Sequence, residues 1–316
     1  MLNVEWGMLN MDKELLNSEP CPGMLLSGVR TPNSKLPLSV YMITFNNGAT
    51  IERALQSVSG WADEVVVTDS HSTDGAQEII IRYTDKLLQH DTKDLREKYQ
   101  HAQNQCANPW VLFIDADEWL THDIKEEIET IIKGQTSYDG FIVNRRNMYL
   151  GREIKYGGWY PDREIRLYRK DRGRWEGGIH AKVSVDGKIG TLKNYYMHTP
   201  YTNTAHQIRT IDRYSEAFAE DLRASGRHFH LLNMITRPLY RFFRDYILKR
   251  GFLDGIPGLI IVASTMYYVF MKHAKLWEME MKDRGDREFG PRIKAFRGRV
   301  RSKCREWYMS NRLNGR

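Results

Sequence analysis

An uninterrupted apolar run, Trp110-Val-Leu-Phe-Ile114, stops abruptly at Asp115-Ala-Asp117-Glu118. An apolar segment this short that ends in charge fits a strand buried on both faces, and such strands belong to parallel sheets covered by helices. The two acids, one residue apart, then lie at the exposed C-terminal end of the strand. Hard divalent cations such as Mg²⁺ take oxygen ligands and keep waters and a substrate phosphate in their shell, so one or two carboxylates suffice to hold one there. Alone, Asp-x-Asp is a weak signal, because solvated turns carry the same spacing.

The preceding chain supplies the sheet that this strand needs. Leu38 to Ile43 reads as a strand, Asn46-Asn47-Gly48 as a loop, and Ala49 to Ser59 as a helix with Ile51, Leu55 and Val58 on one face. Asp63 to Thr68 is a second strand, running into Asp69-Ser-His-Ser-Thr-Asp74-Gly75 and a helix over Ala76 to Tyr83. This alternation is that of a doubly wound α/β sheet, whose ligands bind at the C-terminal strand ends. Thr44, Asn46, Asp69, Asp74, Asp115 and Asp117 all fall at such ends. Asp74 also suits a helix N-cap, whereas Asp69 ends an apolar strand with no helix close enough to cap, and suits a base or ribose. There is no Gly-x-Gly-x-x-Gly and no phosphate loop. A diphosphate bound here would need a metal to neutralise it.

The order Ile43-Thr44-Phe45-Asn46, Asp69 to Gly75 and Phe113-Ile-Asp115-Ala-Asp117-Glu118 resembles family 2 glycosyltransferases of the GT-A fold. Tyr160-Pro-Asp162-Arg-Glu164-Ile-Arg166-Leu-Tyr-Arg169, Trp175 ahead of His180, Gly251-Phe-Leu-Asp254-Gly255 and Ala274-Lys-Leu-Trp-Glu278 resemble its lipopolysaccharide or lipooligosaccharide core β-1,4-glucosyltransferase branch. His71 stands where that family commonly has glycine, and Ala181 where it commonly has glutamate. The resemblance implies a Rossmann-like, mostly parallel GT-A catalytic domain over 36–200, after a leader at 1–35. A helical acceptor and membrane-associating module over 201–280 and a basic tail at 281–316 complete the expected organisation.

In an inverting sugar transfer, a base takes the acceptor proton while a cation stabilises the departing diphosphate. Asp162 is the first candidate base and Glu164 the second. Arg166 is a candidate for the diphosphate, and Thr44, Asn46, Asp69, Asp74 and Asp115 for the donor. The expected metal ligands for Mg²⁺ or Mn²⁺ are Asp115, Asp117 and His180. Of the two aspartates, the outer Asp117 is the more direct ligand, with Asp115 reaching the ribose or binding through water. Trp159, with Tyr156 and Tyr160 in a glycine-rich loop, offers either an acceptor wall or packing over the sheet.

Charge divides the chain. The net is −5 from Met1 to Gly226, +5 from Arg227 to Arg250 and +8 from Lys272 to Arg316. Leu231 to Leu248 mixes aromatic and basic residues as an interfacial helix does, and Ile256 to Met271 carries no charge. That apolar stretch is short of the ~20 residues of a spanning helix, and reads as an in-plane or re-entrant hairpin on an anionic membrane surface. Three scattered cysteines, Cys21, Cys106 and Cys304, suggest neither a disulfide framework nor a zinc site and fit a reducing compartment.

These readings converge on a metal-dependent transferase at the cytoplasmic face of a bacterial inner membrane. It would move a sugar, glucose from UDP-glucose by the resemblance, onto a glycolipid such as the lipopolysaccharide inner core. A family 2 transferase with another nucleotide sugar or a polyprenyl-phosphate acceptor is one alternative. A polyanion-binding protein without catalysis is the other, and the apolar stretch between the basic blocks argues against nucleic acid.

Overall fold

The computed structural model describes residues 36–92, 94–177 and 181–283. The leader, residues 284–316 of the basic tail and His180 lie outside the described residues.

The first half builds the expected alternation: β1 (Leu36–Thr44), α1 (Ile51–Val58), β2 (Ala62–Asp69), α2 (Ala76–Ile80), β3 (Lys86–Gln89), α3 (Leu95–Asn104) and β4 (Trp110–Phe113). There follow β5 (Glu118–Leu120), α4 (His122–Lys133), β6 (Gly140–Tyr149), β7 (Arg152–Ile154), β8 (Asp162–Arg169), β9 (Gly173–Glu176), β10 (Lys182–Val185) and β11 (Ile189–His198). The main sheet runs β3-β2-β1-β4-β8-β6-β11-β5, with β7 beside β6, and β9 and β10 form a separate ribbon. From β3 to β4 every pairing is parallel. β8 enters antiparallel between β4 and β6, so its first residues meet the C-terminal ends of its neighbours. That reversal brings Asp162 and Glu164 to the same rim as Asp115.

Alternation along the strands splits the core in two. Val40, Met42 and Leu112 face a layer that includes Ile51, Leu55 and Ile128 of α1 and α4. Tyr41, Val111 and Phe113 face Ala102 of α3 and Trp175 of the ribbon. Trp175 donates from Nε1 to the Tyr41 hydroxyl at 2.8 Å, and Tyr168 donates to Gln103 Oε1 at 3.0 Å. These bonds satisfy the polar ends of large aromatic rings inside the second layer.

The C-terminal region is helical: α5 (Thr204–Ala224), α6 (Leu231–Phe242), a π-helical turn (Phe243–Leu248), a 3₁₀ turn (Gly251–Asp254) and α7 (Gly255–Asp283). The expected hairpin over Ile256 to Met271 is absent. These residues belong to one 29-residue helix that continues through Lys272 and Lys275. Pro257 falls in its first turn, where a missing N–H costs nothing. Lys275 does not end the helix because it bonds Asp212 of α5, Nζ to Oδ1 at 2.7 Å. The stretch from Gly251 to Asp283 is long and apolar enough to cross a membrane, so the argument from shortness does not hold. The helical hairpin is instead α6 and α7, joined by the two tight turns, with α7 packed on both α5 and α6.

Candidate active site

At the C-terminal strand ends lies a cleft of about 910 Å³, walled by Thr44, Asn47, Ser70, Asp115, Asp117 and His198 among others. Lys98 and Tyr99 of α3 and His206 and Arg213 of α5 close its sides. Lys98 donates from Nζ to Ser70 Oγ at 2.6 Å, and burial lowers its pKa.

The β2-end loop reaches this cleft less than its sequence suggests. Asp69 is fully buried and its carboxylate accepts from the Ser72 N–H at 2.9 Å and the Ser72 hydroxyl. Asp74 accepts from the Gly48 N–H at 2.7 Å and the Ala76 N–H at 3.2 Å, tying the first loop to the second. A Cβ at Gly48 would lie 2.8 Å from the Asp74 carbonyl, which explains glycine there. Asn46 accepts from the Thr73 N–H at 2.9 Å. His71 sits at φ +59°, a left-handed conformation that favours glycine. The cleft-lining residues of these loops are Thr44, Phe45, Asn47 and Ser70. Asn46, Asp69 and Asp74 hold the loops together.

The β4-end loop is different, because its acids meet cations. Glu118 is fully buried; its Oε2 accepts from the Asp115 N–H at 2.8 Å and its Oε1 from Arg145 at 2.7 Å. Arg166, 2% exposed, places Nη2 at 3.0 Å from Asp115 Oδ2, 3.3 Å from Glu118 Oε1 and 2.8 Å from Glu164 Oε2. It is therefore committed to carboxylates rather than to the large cleft. Burial and the Glu118 charge push Asp115 up to about 6, against the pull of Arg166. Burial would also raise Asp117, but His198 and Arg145 together, with a backbone N–H, outweigh it and hold this carboxyl below its ordinary value.

His198 ends β11 opposite Asn147 of β6. Asn147 Nδ2 donates to the Trp159 carbonyl at 3.1 Å and to Asp162 Oδ2 at 3.2 Å. Both partners only accept, so the amide orientation is fixed and Oδ1 must face His198 Nδ1, 2.6 Å away. Nδ1 therefore carries a proton. With both ring nitrogens protonated, Nε2–H points at Asp117 Oδ2, 3.4 Å away, which is the attraction that holds the Asp117 carboxyl low; loss of that proton leaves a lone pair facing the same carboxylate. Two acceptors facing each other across that gap suit a shared cation. Among the described residues, no three His, Cys, Asp or Glu side chains are grouped to hold a metal alone. The donor set thus fits an ion whose remaining ligands come from diphosphate and water.

Asp162 carries both its hydrogen bonds on Oδ2, from Arg145 Nε at 2.7 Å and from Asn147. Burial opposes its ionisation, but Arg145, with the Asn147 hydrogen bond and His198, outweighs that and keeps its pKa low. Among the described residues nothing bonds Oδ1. Glu164 is more exposed, 42% for its side chain, and lines a smaller pocket beside Arg145 and Arg166. Trp159 packs edge-on against Tyr149 at 5.5 Å and tilted against Tyr201 at 5.9 Å, and Tyr201 faces the cleft. Trp159 is thus a support behind that wall.

Sequence reasoning missed Asn47, Glu118, Arg145, Asn147, His198 and Arg213. The sequence signal for His198 is Tyr195-Tyr-Met-His198, a strand pattern ending in a histidine. The signal for Glu118 is its place directly after Asp115-Ala-Asp117, with Arg145 and Arg166 on later strands as cations that demand an anion where they are buried.

Residues 39–188 match the glycosyl transferase family 2 profile. An uncharacterised glycosyltransferase of Rickettsia typhi is 29% identical over 260 residues, covering 78% of this chain and 89% of the relative. The lipopolysaccharide core biosynthesis glycosyltransferase LpsC of Rhizobium meliloti is 27% identical over 252 residues, covering 77% of this chain and 93% of the relative. Among solved structures, S. aureus TarS 1-349 in complex with UDP-GlcNAc superposes with a TM-score of 0.41 at 16% identity, covering 78% of this chain and 92% of that one.

Proposed function

Because this chain is a glycosyltransferase whose residues 39–188 form a family 2 domain, we propose that it moves glucose from UDP-glucose, with inversion, onto a membrane-held glycolipid such as the lipopolysaccharide inner core. The choice of glucose rests on the resemblance of its strand-end motifs to core glucosyltransferases. The acceptor class is supported by the similarity to LpsC. The observation that carries the reaction is the convergence of Asp117 Oδ2 and His198 Nε2 at 3.4 Å on the cleft wall.

Asp117 and His198 would hold Mg²⁺ or Mn²⁺, the expected ligand His180 lying outside the described residues, and the ion would stabilise charge on the leaving diphosphate. Arg213 enters the same cleft from α5 with no carboxylate in ion-pair range among the described residues, and suits the diphosphate better than Arg166. Thr44, Asn47 and Ser70 line the donor side. In the transfer step the acceptor hydroxyl oxygen bonds to the anomeric carbon, the bond from that carbon to the phosphate oxygen breaks, and UDP departs. The acceptor proton passes to Asp162 Oδ1, the oxygen not used by Arg145 and Asn147.

The apolar and basic C-terminal helices suit a peripheral position on the cytoplasmic face of a bacterial inner membrane. A panel of nucleotide sugars, scored by diphosphate release with Mn²⁺ or Mg²⁺ and after chelation, tests the donor and the metal. UDP-glucose should be preferred and chelation should abolish release; another preferred donor would replace glucose, and release unaffected by chelation would remove the metal. Asp162→Asn should lower turnover with near-normal donor binding. An active Asp162→Asn with a dead Glu164→Gln would exchange the two carboxylates.

A further inference from the structure

The two turns between α6 and α7 form a blunt apolar tip. Leu248 is 62% exposed and Ile256 73%, and Phe243, Phe252, Leu253 and Leu259 are exposed beside them. A cluster of large apolar side chains this exposed marks an interaction surface. Lys249 and Arg250 lie within the tip, and Arg237, Arg241 and Arg244 on the approach to it. Cations around an apolar tip complement the headgroups of an anionic leaflet, whose acyl chains accept the tip itself.

One face of the rest of α7 is occupied. Tyr268 packs on Phe218 of α5 at 6.3 Å, Lys272 lies 4.6 Å over the same Phe218 ring, and Lys275 bonds Asp212. The charged helix α5 covers one face of this half; Tyr267 and Phe270 stay exposed on another, but the exposed large apolar side chains are densest at the tip, which is the part offered to lipid.

The inner side of the same tip grips the aromatic loop that precedes β8. Asp254, 3% exposed, accepts from the Lys155 N–H at 3.1 Å and the Tyr156 N–H at 2.9 Å. Gly157 donates its N–H to the Lys249 carbonyl at 2.9 Å. Gly158 passes so close to the buried Asp245 that a Cβ would lie 2.9 Å from its Oδ2. Asp245 is held by Arg244, Nε to Oδ1 at 2.7 Å. Three backbone N–H groups of residues 155–157 thus terminate on the lipid-facing element. The loop continues directly into Asp162.

We propose that the tip enters one leaflet of an anionic phospholipid membrane and that Asp254 latches the 155–160 loop to it, so that membrane contact steadies the acceptor side of the site. This rests on the membrane-held acceptor proposed above. Asp254 is a positioning residue that touches neither donor nor reacting atoms.

The test is amide hydrogen exchange of the full-length protein, alone and with phosphatidylethanolamine vesicles that contain or lack phosphatidylglycerol, with flotation measured in parallel. Wild-type protein should float with the phosphatidylglycerol vesicles, and its Lys155, Tyr156 and Gly157 amides should then exchange about tenfold more slowly. Phe252→Glu with Ile256→Glu, on the exposed tip, should keep the free-protein exchange pattern but lose both flotation and slowing. Asp254→Asn should still float without the slowing. Flotation of wild-type protein with no change at these amides would overturn the latch and leave the membrane reading standing. No flotation would overturn both. Neither readout depends on turnover, so an incorrect donor or acceptor assignment would not affect the result.

Discussion

Two acid-rich loops at the ends of β2 and β4, the strands on either side of β1, look alike in sequence and differ in what their carboxylates do. In Asp69 to Asp74 the acceptors are satisfied within the loops, on the Ser72, Gly48 and Ala76 amides and the Ser72 hydroxyl. In Asp115 to Glu118 the side-chain partners are Arg145, Arg166 and His198, and Asp115 and Asp117 also face the cleft. A carboxylate that has met backbone N–H groups is a fastening. One that meets side-chain cations beside open volume retains capacity for a ligand.

The contrast predicts different failures. Asp117→Asn should lower diphosphate release by roughly a hundred- to a thousandfold with little change in stability, as judged by turnover and denaturant unfolding together. Arg166→Met should act the other way, costing about 3–5 kcal/mol because Glu118 loses one of two buried partners, and chemical denaturation should read that loss. Asn147→Leu removes the acceptor that fixes the His198 proton on Nδ1. It should weaken Mn²⁺ binding about 10- to 100-fold in calorimetric titrations with UDP present. The smallest effects belong to the fastening loop. Asp69→Ala should cost about 1–3 kcal/mol and Asp74→Ala about 1 kcal/mol of stability, with Mn²⁺ affinity unchanged. A loss of metal affinity in Asp74→Ala as large as in Asn147→Leu would erase the distinction between the loops.

The parallel half of the sheet was legible because strand, loop and helix each left a local periodic trace, and Ile51, Ala54, Leu55 and Val58 bury on one helix face as that trace implies. The same periodicity could not separate fastening from function, since Asp69 and Asp117 end similar strands and only their spatial partners differ. His198 was invisible for another reason. Its strand pairs with β6 more than forty residues earlier, at Asn147, so no local spacing links it to Asp117. The run from Ile256 was misjudged because its flanking lysines looked like boundaries. Lys275 instead forms a tertiary contact to Asp212.

The most direct test of the site is a titration of Mn²⁺ into UDP-saturated protein, wild type against His198→Ala. Wild-type protein should bind one ion, and His198→Ala should bind it at least about tenfold more weakly. Equal affinity in the two proteins would contradict the assignment of Asp117 and His198 as the pair that holds the ion beneath the diphosphate.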